Sequence, residues 1–191
     1  MERYVALLGS INVGGNRLLM ADLRHALERE EFEDVETVVA SGNVLFRHEE
    51  RPSQGLADKF AYVLRDRFDI DSFAAVRTRD ELAAAIDGNP FHGVGEDNLV
   101  HTLFLERQPS AQQFADLIDT YAGRGPEKLA PGTCALHVDY VTGVGTSKLT
   151  GAFIERKLGS RATARNMRSL KRILAKLDGA TMDAETMDQA D

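Results

Sequence analysis

The order of the predicted elements repeats along this chain, and this repetition limits the possible folds more than any single motif does. Apolar runs and helical spacing of apolar residues predict strand, helix, strand, strand, helix, strand over residues 3–78. Residues 98–166 predict the same order. Ser53 is a candidate N-cap for the second helix of the first half, and Ser110 with Gln113 predicts a capping box at the first helix of the second half. This βαββαβ order is the pattern of the ferredoxin-like fold. We therefore expect an α+β protein of two tandem ferredoxin-like domains, each an antiparallel sheet with helices on one face.

The ends of the two halves also resemble each other. The segments AVRTRDELAAAI (75–86) and TARNMRSLKRIL (163–174) each place an arginine at a strand end, then a helix-capping residue, then a leucine. We interpret this as a tandem duplication, although other strand-to-helix junctions have similar patterns. The matching pairs, all 88 residues apart, are Arg77 and Arg165, Thr78 and Asn166, and Leu82 and Leu170.

The composition divides the chain into four segments. Residues 88–97, GNPFHGVGED, are rich in glycine and contain a proline, which is typical of a linker. The domains then cover residues 1–87 and 98–177. Residues 178–191 hold five acids and no Lys or Arg, which predicts an acidic, disordered tail.

The first strand, RYVALL (3–8), is apolar on both faces. A ferredoxin-like sheet has helices on one face only, so something else must cover the other face of this strand. The other domain or a second copy of the chain fits that requirement. The sequence therefore leaves open a homodimer, and with it a non-catalytic interaction module.

Charge and cysteine content narrow the function classes. The formal charge is −7, but removing the five tail acids leaves 23 minus 25, or −2, for residues 1–177. The total charge disfavours nucleic acid as a partner, while the nearly neutral body leaves room for a modest basic patch. A single cysteine, Cys134, and no apolar run long enough to cross a membrane predict a cytoplasmic protein without a membrane partner. No metal-ligand spacing occurs among the histidines, and no cofactor is predicted.

A polar loop directly follows the first strand, in LLGSINVGGN (7–16). Gly14 and Gly15 permit close approach of the backbone to a ligand, and the Asn12 amide both donates and accepts hydrogen bonds. A helix start nearby would favour an anion. The alternative is a loop that needs glycine only to turn sharply.

Two other polar junctions are candidates for the same site. Ser41, Gly42 and Asn43 lie between two predicted strands, where they are either a hairpin turn or ligand contacts. Arg165 can pair a carboxylate or phosphate, and Asn166 beside it is either a ligand contact or a helix N-cap.

Residues 132–150 contain further candidates. The segment TGVGTSK (142–148) is either a turn with Ser147 as a helix cap or a ligand contact. The preceding strand alternates and predicts His137 and Asp139 on a solvated face, with Cys134 on the apolar face as an inert thiol. No nucleophile, base and orienting group can be assembled, so the sequence does not decide whether this is an enzyme.

Several motifs, in order, resemble the bacterial domain of unknown function family 1697. They are RYVALLGSINVGGN, MADLRHALEREEFEDVETVVASGNVLF, RTRDELAAAIDGNPF and TARNMRSLKRIL, and the resemblance extends from Arg3 to about Leu177. It implies two ferredoxin-like domains and no established activity. Where the family pattern has Arg-Gly and Arg-Asn-Trp, this chain has Gly9-Ser10 and Arg165-Asn166-Met167.

The function that the sequence predicts is binding of a small anionic or polar ligand between the two domains. In this hypothesis Arg165 pairs the anionic group, Asn12 and Asn43 orient it, and amides of the glycine-rich loop complete the site.

Overall fold

The computed structural model describes residues 1–11, 18–39 and 42–179. The described strands are β1 Glu2–Leu8, β2 Glu33–Thr37, β3 Asn43–His48, β4 Ala74–Thr78, β5 Val100–Leu105, β6 Lys128–Gly132, β7 Ala135–Asp139 and β8 Ala162–Asn166. The described α-helices are α1 Met20–Glu28, α2 Ser53–Phe68, α3 Arg79–Asp87, α4 Ala111–Tyr121, α5 Gly151–Leu158 and α6 Met167–Leu177.

The strands form two four-stranded antiparallel sheets. The strand order is β2-β3-β1-β4 in the first sheet and β6-β7-β5-β8 in the second. In each sheet the central pair is formed by the first and third strands of its half, which are the more apolar ones. The α+β class and the predicted element order are confirmed.

Local sequence explains where several helices begin and end. The side chain of Ser110 accepts from the amide of Gln113, whose side chain in turn accepts from the Ser110 amide, and this capping box starts α4 as predicted. Asn166 caps α6, and Gly159 ends α5 with a φ of 62°. The prediction for Ser53 was wrong, because Ser53 is the first residue of α2 and not its N-cap.

Each sheet has its own helices on one face. The face of the first sheet that carries Tyr4, Ala6 and Leu8 packs against α1 and α2. In the second sheet, Leu103 and Leu105 pack against α4 and α5 in the same way. Alternation along a strand sends neighbouring residues to opposite faces, so the remaining residues of β1 and β5 face elsewhere.

A third apolar cluster joins the other faces of the two sheets. It contains Val5 and Leu7 of β1, Val100 and Phe104 of β5, and buried residues of α3 and α6. Helices therefore lie on both faces of the first sheet and not on one face only. The apolar inner face of β1 is covered within the chain, so a second copy is not needed to cover it.

Helix α6 has the strongest amphipathic pattern of this layer. Its four fully or almost fully buried residues recur at helical spacing, and each such residue stabilises the fold by roughly 1.5–3 kcal/mol through burial. They are Met167, Leu170, Ile173 and Leu177. No helix within the described residues is long and apolar enough to span a membrane.

Candidate functional site

A cleft of about 410 Å³ lies where the ends of β1, β3 and β8 meet. Leu8 and the residues that follow it up to Ile11 line one side, and Ala162 to Arg165 line the other. Gly42 completes the lining. The cleft is thus formed by segments from both halves of the chain, directly before the glycine-rich segment that begins at Asn12.

Arg165 crosses from β8 to the first sheet and makes five hydrogen bonds, three to the first half of the chain and two within β8. Its Nε donates to Asn43 Oδ1 at 2.5 Å, and its Nη2 donates to the carbonyls of Gly42 at 2.9 Å and Leu8 at 3.2 Å. Its Nη1 donates to Thr163 Oγ1 and to the Ala164 carbonyl, both at 2.8 Å. A guanidinium has five N–H groups, so the fork is fully engaged.

The partners of Arg165 are all uncharged. Three are backbone carbonyls, and the others are the Asn43 amide and the Thr163 hydroxyl. The ion pairs within the described residues do not include Arg165. Burial lowers the pKa of Arg165 to about 10, so the side chain stays protonated at neutral pH. It therefore brings a positive charge to the cleft, and no carboxylate of residues 1–11, 18–39 or 42–179 forms an ion pair with it.

The turn before β3 presents its carbonyl to this arginine. Gly42 has a φ of 93°, which favours glycine, and its carbonyl also accepts from the Leu8 amide at 2.8 Å. Asn43 is 2% exposed, and its Nδ2 donates to the Val38 carbonyl at 3.3 Å. This hydrogen bond fixes the Asn43 amide so that its oxygen faces Arg165.

Thr163 is a residue of this site that the sequence analysis missed. Its buried hydroxyl donates to the Leu8 carbonyl at 2.8 Å and accepts from Arg165 Nη1, so it links β8 to β1. A threonine in a strand has no distinctive signal, because β-branched residues are common there. Because Thr163 lies two residues before Arg165, it is expected on the same face of the strand, and this spacing is the sequence signal that could have identified it.

The predicted site residues are brought together only in part. Gly42, Asn43 and Arg165 meet at the cleft. Asn166 lies on the other face of β8, where its Oδ1 accepts from the Ser169 amide at 2.8 Å and caps α6. The remaining four predicted residues lie outside the described residues; they are Asn12, Gly14, Gly15 and Ser41.

Comparison with known proteins assigns the chain to a family. Residues 1–136 of 191 match the family described as Protein of unknown function (DUF1697). The chain belongs to the DUF1697 family. Arg165 lies beyond the matched residues. No curated protein matches the sequence.

A solved structure supports the same fold. The conserved bacterial protein SP0830 from Streptococcus pneumoniae superimposes with a TM-score of 0.72 at 20% identity, over 93% of this chain and 99% of that one. At that identity the likeness concerns the fold alone.

The structure gives a physical reason for the departure of Gly9 from the DUF1697 pattern. A Cβ at this position would lie 2.8 Å from the ring of Phe73 and 3.0 Å from the Ser72 hydroxyl, so a side chain there requires Phe73 to move. Met167, in place of the tryptophan, is fully buried in the cluster between the sheets. It has a packing role.

The other predicted polar features need correction. His137 and Asp139 are 3% and 4% exposed and not solvated, because the segment predicted as a linker adjoins their strand face. A Cβ at Gly95 would lie 2.8 Å from Asp139 Oδ2, and Asn89 donates to the Thr102 hydroxyl beside His137. Cys134 is half-buried in a turn with a φ of 44° and not part of β7. Ser147 does not cap α5, since Thr150 does.

The buried histidine belongs to a small polar network. The Thr102 hydroxyl lies 3.1 Å from His137 Nδ1 and accepts from Asn89 Nδ2 at 3.2 Å. Burial lowers the pKa of His137. Burial also lowers the pKa of His101, and this effect is larger than the opposite effect of the hydrogen bond to the Leu99 carbonyl. Within the described part of the chain, no group of three or more His, Cys, Asp or Glu side chains could hold a metal ion.

Proposed function

We propose that the cleft beside Arg165 binds a small anionic ligand. The observation that carries this proposal is the charge of Arg165, which is half-buried and has only uncharged hydrogen-bond partners among the described residues. A buried charge is usually paired, because its removal from water costs several kcal/mol when nothing offsets it. A carboxylate or phosphate in the cleft would supply the missing negative charge.

The five hydrogen bonds of Arg165 define how such a ligand would bind. The bond from Nη1 to the Ala164 carbonyl is the solvent-exposed one, so this N–H is the donor that a ligand takes over. Asn43 and Thr163 then keep the guanidinium in place. We include Asn12, Gly14, Gly15 and Ser41 as further contacts, because Ile11 and Gly42, which adjoin these segments, line the cleft.

The chemistry of the lining supports binding more than catalysis. Among the described residues that line the cleft, Arg165 is the ionisable one, and its pKa is too high for a general base at neutral pH. The proposal therefore includes no reaction.

We also infer that each half is a ferredoxin-like domain and that the two arose by duplication. Support comes from the strand order, which reads fourth, first, third, second in both sheets, and from the repeated βαββαβ order followed by a further helix. The proposed boundaries are 1–87 and 98–177, joined by 88–97.

The binding proposal is tested by thermal unfolding with inorganic phosphate, pyrophosphate, citrate and adenosine monophosphate. A ligand at 100 times its Kd stabilises by about 2.7 kcal/mol, which is a rise of roughly 5–10 °C for a chain of this size. Ser10 is exposed and lines the cleft. Ser10→Glu adds a negative charge there, and Ser10→Gln is its matched control of the same size.

We expect at least one of these anions to raise the Tm of the wild type and of Ser10→Gln, but not of Ser10→Glu. Equal shifts in the two variants, or no shift with any anion while both variants unfold cooperatively, would overturn the proposal.

A further inference from the structure

A second pocket, of about 290 Å³, lies at the other side of the second sheet, between the end of α4 and the start of α5. We call it the α4–α5 pocket. Its lining residues are Tyr121, Gly123, Arg124, Lys148 and Phe153. It shares no lining residue with the cleft beside Arg165.

Two cations line this pocket, and none of its described lining residues is an acid. Arg124 lies on the loop after α4, and Lys148 on the loop before α5. Neither occurs in the ion pairs or side-chain hydrogen bonds of the described residues, in contrast to Arg161, which pairs with both Glu106 and Asp71. Two like charges that share one pocket repel each other, and an anion between them removes that repulsion.

An aromatic ring adjoins these charges. The Arg124 guanidinium lies 5.8 Å from the centroid of the Phe153 ring, and that of Arg156 lies 5.6 Å from it. Such cation–π contacts orient the arginine without consuming its N–H donors. The contact with Phe153 therefore orients the Arg124 guanidinium, and its N–H groups remain available to a ligand.

A buried carboxylate holds the two loops in position. Tyr121 donates to Glu127 Oε2 at 2.6 Å, and the Ser147 hydroxyl donates to Glu127 Oε1. Burial raises the pKa of Glu127, but the Ser147 and Tyr121 hydroxyls, a backbone hydrogen bond and the positive charge of Lys148 together bring it below its ordinary value. Glu127 is thus ionised at neutral pH and ties the residue before Lys148 to the helix that precedes Arg124.

Glycines let the backbone approach this buried group. A Cβ at Gly125 would lie 2.6 Å from the Tyr121 hydroxyl, and Gly123 has a φ of 75°. In the second loop Val141 has a φ of 57°, a strained value for a β-branched residue, and Gly143 has a φ of 113°. Both loops are therefore held in special conformations on either side of the pocket.

We propose that the α4–α5 pocket binds an organic phosphate, with the phosphate group between Arg124 and Lys148 and an apolar part of the ligand against Phe153. A phosphate offers three oxygens and close to two negative charges, which matches a guanidinium and an ammonium that approach from separate loops. A carboxylate has one charge and two oxygens, and satisfies such a pair less well.

The test is a titration of ¹⁵N-labelled protein, followed by the backbone amide signals of its glycines. Inorganic phosphate, phenyl phosphate and benzoate are the probes. The signals of Gly123 and Gly125 report on the α4–α5 pocket, and those of Gly9 and Gly42 report on the cleft beside Arg165, so the two proposals succeed or fail separately. The variants are Arg124→Gln and Lys148→Gln. Arg24→Gln, at an exposed arginine on α1, is the control.

We expect phenyl phosphate to shift the Gly123 and Gly125 signals to saturation, with a Kd at least threefold below that of inorganic phosphate and tenfold below that of benzoate. Arg124→Gln should weaken binding about tenfold or more and Lys148→Gln about threefold or more, while Arg24→Gln leaves it unchanged. Shifts that stay linear, or that persist equally in Arg124→Gln, would overturn the site. Tighter binding of benzoate would overturn the ligand class.

Discussion

The chain contains two arginines in equivalent positions whose side chains contact different residues in the other half of the chain. The backbone around them is the same: the Leu8 amide donates to the Gly42 carbonyl at 2.8 Å, and the Leu105 amide donates to the Cys134 carbonyl at 2.9 Å. Arg165 and Arg77 occupy the same register position on β8 and β4. Each side chain reaches toward the other half of the molecule.

The residues around each arginine decide what it does there. Arg165 meets Asn43 and Thr163, whereas the residues that correspond to these two beside Arg77 are both alanines, Ala135 and Ala75. Arg77 instead lies over the Phe104 ring at 5.4 Å and donates to its neighbouring Val76 carbonyl at 2.7 Å. The junction at Arg165 is a polar network that opens into a cleft, and the junction at Arg77 is a stacked contact.

The largest difference is expected from removing each guanidinium in turn. Arg165→Met leaves the Leu8 and Gly42 carbonyls without this donor, so we expect a loss of about 3 kcal/mol in the free energy of unfolding. Arg77→Met removes one hydrogen bond from the side chain to the Val76 carbonyl and one cation–π contact, which together amount to about 1 kcal/mol. Urea unfolding measures both. Equal losses would mean that the polar partners of Arg165 add nothing to stability.

The two turns beside the arginines offer a smaller test. Gly42→Ala puts a Cβ on a residue with a φ of 93°, about 3.4 Å from Arg165 Nη2, and should cost about 1.5 kcal/mol. Cys134 already has a positive φ of 44°, so Cys134→Gly should stay within about 0.5 kcal/mol of the wild type, measured in the same way. A loss at Cys134 as large as at Gly42 would show that the turns are not distinguished by backbone strain.

The smallest effect concerns pH. His137 occupies the position in the second sheet that corresponds to Leu45 in the first sheet. Burial lowers the pKa of His137. The unfolded chain therefore binds more protons below pH 6.5, so stability should fall as the pH drops from about 6.5 toward 5. His137→Gln should reduce this slope but not abolish it, because the pKa of His101 is lowered as well.

Unfolding at pH 7, 6 and 5 measures that slope. The carboxyl groups whose pKa values are lowered, such as Glu106 and Glu127, lose their charge at more acidic pH than this window. Titration of these carboxyl groups therefore does not overlap with the effect of the histidines on stability. An unchanged slope in His137→Gln would contradict the assignment.

The sequence predicted the features that depend on neighbouring residues. The capping box of Ser110 and Gln113, the Asn166 cap and the element order follow from local pattern, and all are present. Burial of His137 could not be predicted, because alternation along a strand identifies its two faces but not what covers them. Three of the five hydrogen bonds of Arg165 join residues more than 120 positions apart, so local pattern carries no information about these three.

The position of α6 has a consequence for how the protein is made. The last described helix packs against the first strand, and Arg3 Nη1 donates to the Leu177 carbonyl at 3.0 Å, across 174 positions of the chain. A growing chain that has already formed the first sheet and α3 cannot complete the cover of the inner face of β1 until α6 has left the ribosome. Contacts this distant in sequence slow folding. During synthesis, therefore, the half that is made first waits longest for its final packing, with Val5 and Leu7 exposed to chaperones.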